Sequence, residues 1–210
     1  THPHPPADSP VAGPLPPEAL PLAPAGPRPE EPRAAVERLR AAARSRAAHP
    51  RTMRVRQLKG LKRMLTEHED RFVAALGTDL GKPATEALVT EIVSVRSEVD
   101  HALLHLTDWM EPRSVKLPLA LRPASAEVRP RPKGLVLVIG AWNYPVQLAL
   151  APVVGALAAG DTVVLSPSEK APATAEALRE LVPQYLDSAL VSVVAGGKEC
   201  NTALLAEPWD

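Results

Sequence analysis

Asn143, Ser168, Glu169 and Cys200 are the residues of this chain whose types and spacing could do chemistry. Asn143 follows a short apolar run, Leu135 to Ile139, after the turn Gly140–Ala141–Trp142. A side-chain amide at such a strand end can donate a hydrogen bond to a developing oxyanion. It can equally cap the helix that follows, and on residue types alone the cap is the simpler reading. Ser168 and Glu169 follow a second apolar run, Thr162 to Leu165. A carboxylate there can accept hydrogen bonds from ribose hydroxyls. Ser-Glu ahead of a helix is also a common helix start. Cys200 is the single thiol, and no base is evident beside it in the sequence, as an activated nucleophile requires.

Glycines near Cys200 invite a phosphate-loop reading. In Ala195–Gly196–Gly197–Lys198 the glycine required five residues before Gly197 is Ser192, and Glu199 follows the lysine. That excludes the Walker pattern, and no G-x-G-x-x-G is present. Gly197 is read instead as a strand-end glycine that allows close approach.

The elements that must position these groups alternate. Residues 135–139, 162–165 and 190–194 are apolar runs of strand length, the first with no polar alternation, as expected of a strand buried on both faces. Helical segments lie between them, the first ending at Gly160 and the second spanning 172–182. Alternation of this kind specifies a parallel sheet with groups of functional interest beyond the strands' carboxyl ends. Ahead of the sheet, residues 33–48 are rich in Ala and Arg and read as a helix. Thr66 to Glu69 has capping-box spacing before a further helix. After Pro83, Leu88, Ile92, Val95, Val99, Leu103 and Leu106 form the apolar stripe of a long helix. His101 and His105 lie one turn apart on it and, without a third ligand, read as an exposed face rather than a metal pair. Residues 113–130 read as a protruding hairpin. Twelve of the 25 prolines fall within residues 1–32, which read as a disordered, polyproline-like tail.

W-N-Y-P at 142–145, P-x-x-G-A-L-A-A-G at 152–160 and P-S-E at 167–169 together resemble the aldehyde dehydrogenase superfamily, its class 3 or fatty-aldehyde branch above all. The resemblance implies an α/β chain: a helical amino-terminal region (33–112), an extended oligomerisation segment (113–130), and the first half of a doubly wound, Rossmann-like NAD(P)-binding domain (131–210). It implies oxidation of an aldehyde to a carboxylic acid, a homodimer in the full-length protein, and NAD in preference to NADP. It assigns Asn143 to the oxyanion, and Ile139, Ala141, Trp142, Ser166, Ser168, Glu169 and Gly197 to the cofactor. Ser166 departs from the lysine usual in the family, and Cys200 is not its nucleophile, which lies further along. The chain, which starts at Thr1 rather than Met, is expected to be the amino-terminal part of such an enzyme. A non-catalytic nucleotide-binding or subunit-pairing module, and an acyl-CoA-forming reductase of the same fold, are the alternatives.

Composition bounds the rest. With 24 basic and 24 acidic residues there is no basic excess for a nucleic-acid footprint. One cysteine permits no internal disulfide and suits a reducing, cytoplasmic setting. The uncharged run 135–159 contains Asn143, Pro145 and Pro152, which a strand-turn-helix explains and a membrane span does not.

Overall fold

The computed structural model describes residues 32–210; the expected tail lies outside the described residues, apart from Pro32, which opens the first helix. Three parallel strands carry the architecture: β3 (Leu135–Ile139), β4 (Thr162–Ser166) and β5 (Val191–Val193), in the order β3-β4-β5. Leu135 pairs with Thr162 and Ile139 with Ser166, so β3 and β4 end level. Val163 to Leu165 pair with Val191 to Val193. Helices α6 (Gln147–Ala159) and α7 (Pro172–Tyr185) connect the strands, and α8 (Lys198–Leu205) follows β5.

Central β4 is buried along its whole length. β3 is not, although it is wholly apolar: Leu135 and Val138 are buried, and Ile139 is 43% exposed. It occupies the edge of the described sheet, which corrects the expectation of a strand covered on both faces.

The two faces of the sheet have separate cores. Val138, Val163, Leu165 and Val191 meet α6 and α7, and behind them α2 (Arg51–Glu67), α3 (Glu69–Leu80) and α5 (Ser94–Met110). Leu135, Val164 and Val194 face α1 (Pro32–Arg44) and α8 through Val36, Leu39 and Leu204. The helix expected at 33–48 thus packs on the opposite face from the other amino-terminal helices, tied by the Thr162 hydroxyl, which donates to the Leu39 carbonyl at 3.2 Å. The close crossing of α2 and α7 depends on Gly60, where a Cβ would lie 2.3 Å from the Tyr185 carbonyl oxygen.

Two local expectations change. No capping box forms at Thr66, whose hydroxyl donates back to the Lys62 carbonyl, while Glu69 pairs with Arg96. The long helix after Pro83 is not uniform: α4 (Ala84–Ala87) passes into a π-helical segment, Leu88–Val93, before α5. Ile92, Val95, Val99 and Leu106 of the expected stripe are buried. His105 stacks with Trp109 along α5, and His101 lies tilted against both, the histidine ring centroids 4.6 Å apart. β1 (Arg113–Val115) and β2 (Ala126–Val128) form the antiparallel hairpin expected within 113–130. No helix of the described residues is long and apolar enough to cross a membrane.

Candidate active site at the carboxyl edge of the sheet

Gly140 closes β3. Its N–H donates to the Ser166 carbonyl at 2.8 Å, and a Cβ there would lie 3.2 Å from the Ala149 Cβ. The chain can therefore turn tightly between β4 and α6. Ala141 is half-buried, Trp142 and Asn143 are exposed, and Pro145 and Val146 are buried. Ile139 and Trp142 together leave apolar surface open beside Asn143.

Asn143 does not cap α6. The N-cap position falls three residues later, on Val146, which has no side chain able to cap. The exposed N–H groups of the first turn are met instead from a distant element. Glu91, in the π-helical segment and fully buried, accepts from the Val146 N–H at 2.8 Å and the Gln147 N–H at 3.2 Å through Oε2. Its Oε1 accepts from the Lys82 ammonium. The same ammonium lies 3.8 Å from the centroid of the Tyr144 ring. Sequence reasoning missed this pair. The available signal was an amino-terminal helix position occupied by valine, which leaves donors that some other residue must satisfy.

α7 is built the same way. Its N-cap, Ala171, has no side-chain cap, and Pro172 lacks an N–H. Asp79 at the end of α3 accepts from Ala173 N–H at 3.0 Å and Thr174 N–H at 2.8 Å. Ser168 makes only a local turn, its Oγ accepting from Lys170 N–H at 3.3 Å, and Glu169 is exposed. The alternative role of Ser168 and Glu169 as caps of α7 is thus taken by Asp79.

Ser166 does not present its hydroxyl at the edge. It is fully buried and donates to Asn201 Oδ1 on α8 at 2.7 Å. Gly197, at the start of α8, is exposed, and a Cβ there would meet nothing within 4 Å. Cys200, in the first turn of α8, is folded against Gly196, where a Cβ would lie 2.7 Å from the Cys200 Sγ, and it packs against the Leu135–Val164 core. Among the described residues no group of three metal-ligating side chains converges.

The chain that carries this edge has relatives among known proteins. The family model "Aldehyde dehydrogenase family" matches residues 23–209. This chain belongs to the aldehyde dehydrogenase family. It is 48% identical over 157 residues to aldehyde dehydrogenase family 3 member H1 of Arabidopsis thaliana, covering 75% of this chain and 32% of that protein. It is 41% identical over 175 residues to family 3 member A2 of Macaca fascicularis, covering 83% of this chain and 36% of that one. Among solved structures, the substrate-bound state of Staphylococcus aureus AldH superposes with a TM-score of 0.83 at 32% identity, over 85% of this chain and 39% of that chain. The chain spans about a third of the length of the curated relatives it matches. The kinship is therefore with oxidoreductases, and the fold is the α/β fold of that family's first part.

Proposed function

We propose that this chain is the amino-terminal third of an NAD(P)-dependent dehydrogenase that oxidises an aldehyde to a carboxylic acid, with Asn143 as its oxyanion donor. One observation carries the reading. Asn143 is exposed at the carboxyl end of β3, and the capping work that would otherwise account for it is done by Glu91. An amide released from capping and held on a rigid turn can be aimed where negative charge develops on a carbonyl oxygen.

The residues at the edge suit a dinucleotide in part. Exposed Glu169 would accept from ribose hydroxyls, with Ser168 beside it. The open apolar surface of Ile139 and Trp142, with Ala141 between the strand and the turn, would cover a flat ring. Open space over Gly197 admits close approach of a bulky group. Buried Ser166 acts only from beneath, by fixing α8 through Asn201. NAD(P), when bound, supplies the hydride acceptor, and the exposed carboxylate of Glu169 favours NAD, since it would repel a 2′-phosphate. The thiolate nucleophile and its base are assigned to the part of the enzyme that this chain does not span, and Cys200, packed against Gly196, has the structural role. The β1–β2 hairpin is the proposed dimer contact, and the single thiol suits a reducing, cytoplasmic compartment.

Asn143→Ala in the full-length enzyme tests the assignment. Loss of one oxyanion donor lowers turnover by about 10²–10³-fold. The cofactor's dissociation constant should stay close to wild type. Turnover of Asn143→Ala near the wild-type value would remove Asn143 from the chemistry.

A further inference from the structure

The turn that carries Asn143 is held from outside its own β–α unit. Glu91 reaches the backbone of Val146 and Gln147, and Lys82 reaches the ring of Tyr144, so three of the four residues after Asn143 are contacted by one ion pair. Neither partner is at the surface: the Lys82 and Glu91 side chains are 9% and 0% exposed. A carboxylate in such a place is costly unless every oxygen is satisfied, and here one takes the two backbone donors and the other the ammonium. The amino end of α6 adds a favourable field for the negative charge.

Stability alone does not explain this choice. A serine, threonine, aspartate or asparagine side chain from the adjoining turn is the commoner way to satisfy such donors. A buried ion pair is often no more stabilising than well-packed apolar residues of the same volume. What the pair adds is geometric: it ties the turn to the helical layer at a fixed distance. The π-helical segment Leu88–Val93 contributes by burying two consecutive residues, Glu91 and Ile92, one toward the turn and one in the apolar core. Insertions of this type re-aim side chains and recur at functional sites.

We propose that Lys82 and Glu91 are positioning residues for Asn143, fixing where its amide stands relative to the substrate carbonyl. The inference rests on the oxyanion role given to Asn143 above. Neither Lys82 nor Glu91 touches the reacting atoms; both act through the backbone and ring of the turn. A displacement of the donor by about 1 Å is enough to cost on the order of 10²-fold in rate.

The test is a double-mutant cycle in the full-length enzyme, reading the single-turnover rate and the cofactor dissociation constant. Glu91→Gln keeps the side-chain size and one acceptor but loses the charge that holds Lys82. It should slow the reaction by roughly 10–10²-fold and leave cofactor binding within about twofold of wild type. Combined with Asn143→Ala, it should add almost nothing, because the group it positions is already gone. Lys82→Arg, which keeps the cation, should retain most of the rate. Should Glu91→Gln not fold, Tyr144→Leu removes the ring beneath Lys82 without unpairing the carboxylate, and the same non-additivity with Asn143→Ala is expected. Wild-type rates in Glu91→Gln or Tyr144→Leu, or losses that multiply with that of Asn143→Ala, would overturn the positioning role. If Asn143→Ala itself runs at the wild-type rate, the failure belongs to the oxyanion assignment, and hydrogen exchange at the Val146 and Gln147 amides then reports separately whether Glu91 holds the turn: faster exchange in Glu91→Gln supports that it does, and unchanged exchange refutes it.

Discussion

Asp79→Ala should destabilise the protein by stranding the backbone donors that open α7. The first turn of α7 has a complete donor account. Pro172 has no N–H, Ala173 and Thr174 donate to the two oxygens of Asp79, and Ala175 donates to the Ala171 carbonyl. Removing the carboxylate strands two donors at once. A lost N-terminal cap costs about 0.5–2 kcal/mol, and each charge-assisted bond about 1.5–3 kcal/mol before water takes its place. Asp79 is half-buried, so water recovers part of the loss, leaving about 2–3 kcal/mol. For a chain of this size that lowers the melting temperature by roughly 4–12 °C. Asp79→Asn keeps one acceptor but turns an amide NH₂ toward the other N–H, so it should recover no more than about half of the loss. Calorimetric melting of the three proteins at one pH decides the matter. A melting temperature for Asp79→Ala within about 1 °C of wild type would show that water or a shifted α7 satisfies those donors, and the same doubt would then fall on the carboxylate cap of α6.

Two further outcomes are expected. Thr174 Oγ1 is buried without a hydrogen-bond partner, so Thr174→Val, which keeps the shape, should be neutral or stabilising by about 1 kcal/mol in denaturant titration; a loss would reveal a partner for the hydroxyl. Burial first, and then the neighbouring Arg54 and Arg46 charges, hold His49 below the usual histidine range. The unfolded chain therefore binds its proton more readily. Stability from this group is complete above the ordinary histidine pKa and falls away as pH drops through the lowered value, so His49→Gln should reduce the loss of stability between about pH 7 and pH 5. An unchanged pH slope would contradict the assignment.

The elements of the sheet were legible because they use strong local signals. Leu135–Ile139 and Thr162–Leu165 are apolar runs, Gly160 ends α6 in a left-handed conformation at φ +89°, and Pro172 opens α7. The position of Asn143 on a turn after β3 followed from the same signals. What was not legible depends on contacts between distant residues. The exposure of Ile139 comes from β3 having a single neighbour in the described sheet, which an apolar run cannot reveal. The placement of α1 opposite the other helices depends on Val36 and Leu39 meeting Leu135 and Val164, about a hundred residues away. Ser166 looked like a strand-end polar group, but α8 folds back and covers it through Asn201. Glu91 was hidden by periodicity. On an α-helix carrying Leu88, Ile92 and Val95 inward, the residue before Ile92 is readily assigned outward; the wider π-helical turn brings both inward.

The two carboxylate caps also bear on how this edge can hold a ligand. In many doubly wound sheets the amino end of the first crossover helix receives a phosphate, since its free N–H groups and positive dipole end favour an anion. Here those groups on α6 already belong to Glu91, and those on α7 to Asp79. A phosphate brought to either helix would displace or face a carboxylate, and the like charges would repel at close range. The absence of G-x-G-x-x-G agrees with this: the turn after β3 has Trp142 and Asn143 in place of a run of glycines. The anionic charge that stabilises α6 and α7 comes from within the fold, from α3 and the π-helical segment. Of the two carboxylates, Asp79 serves α7 alone, whereas Glu91, in answering the donors of α6, also ties the turn that carries Asn143 to the helical layer.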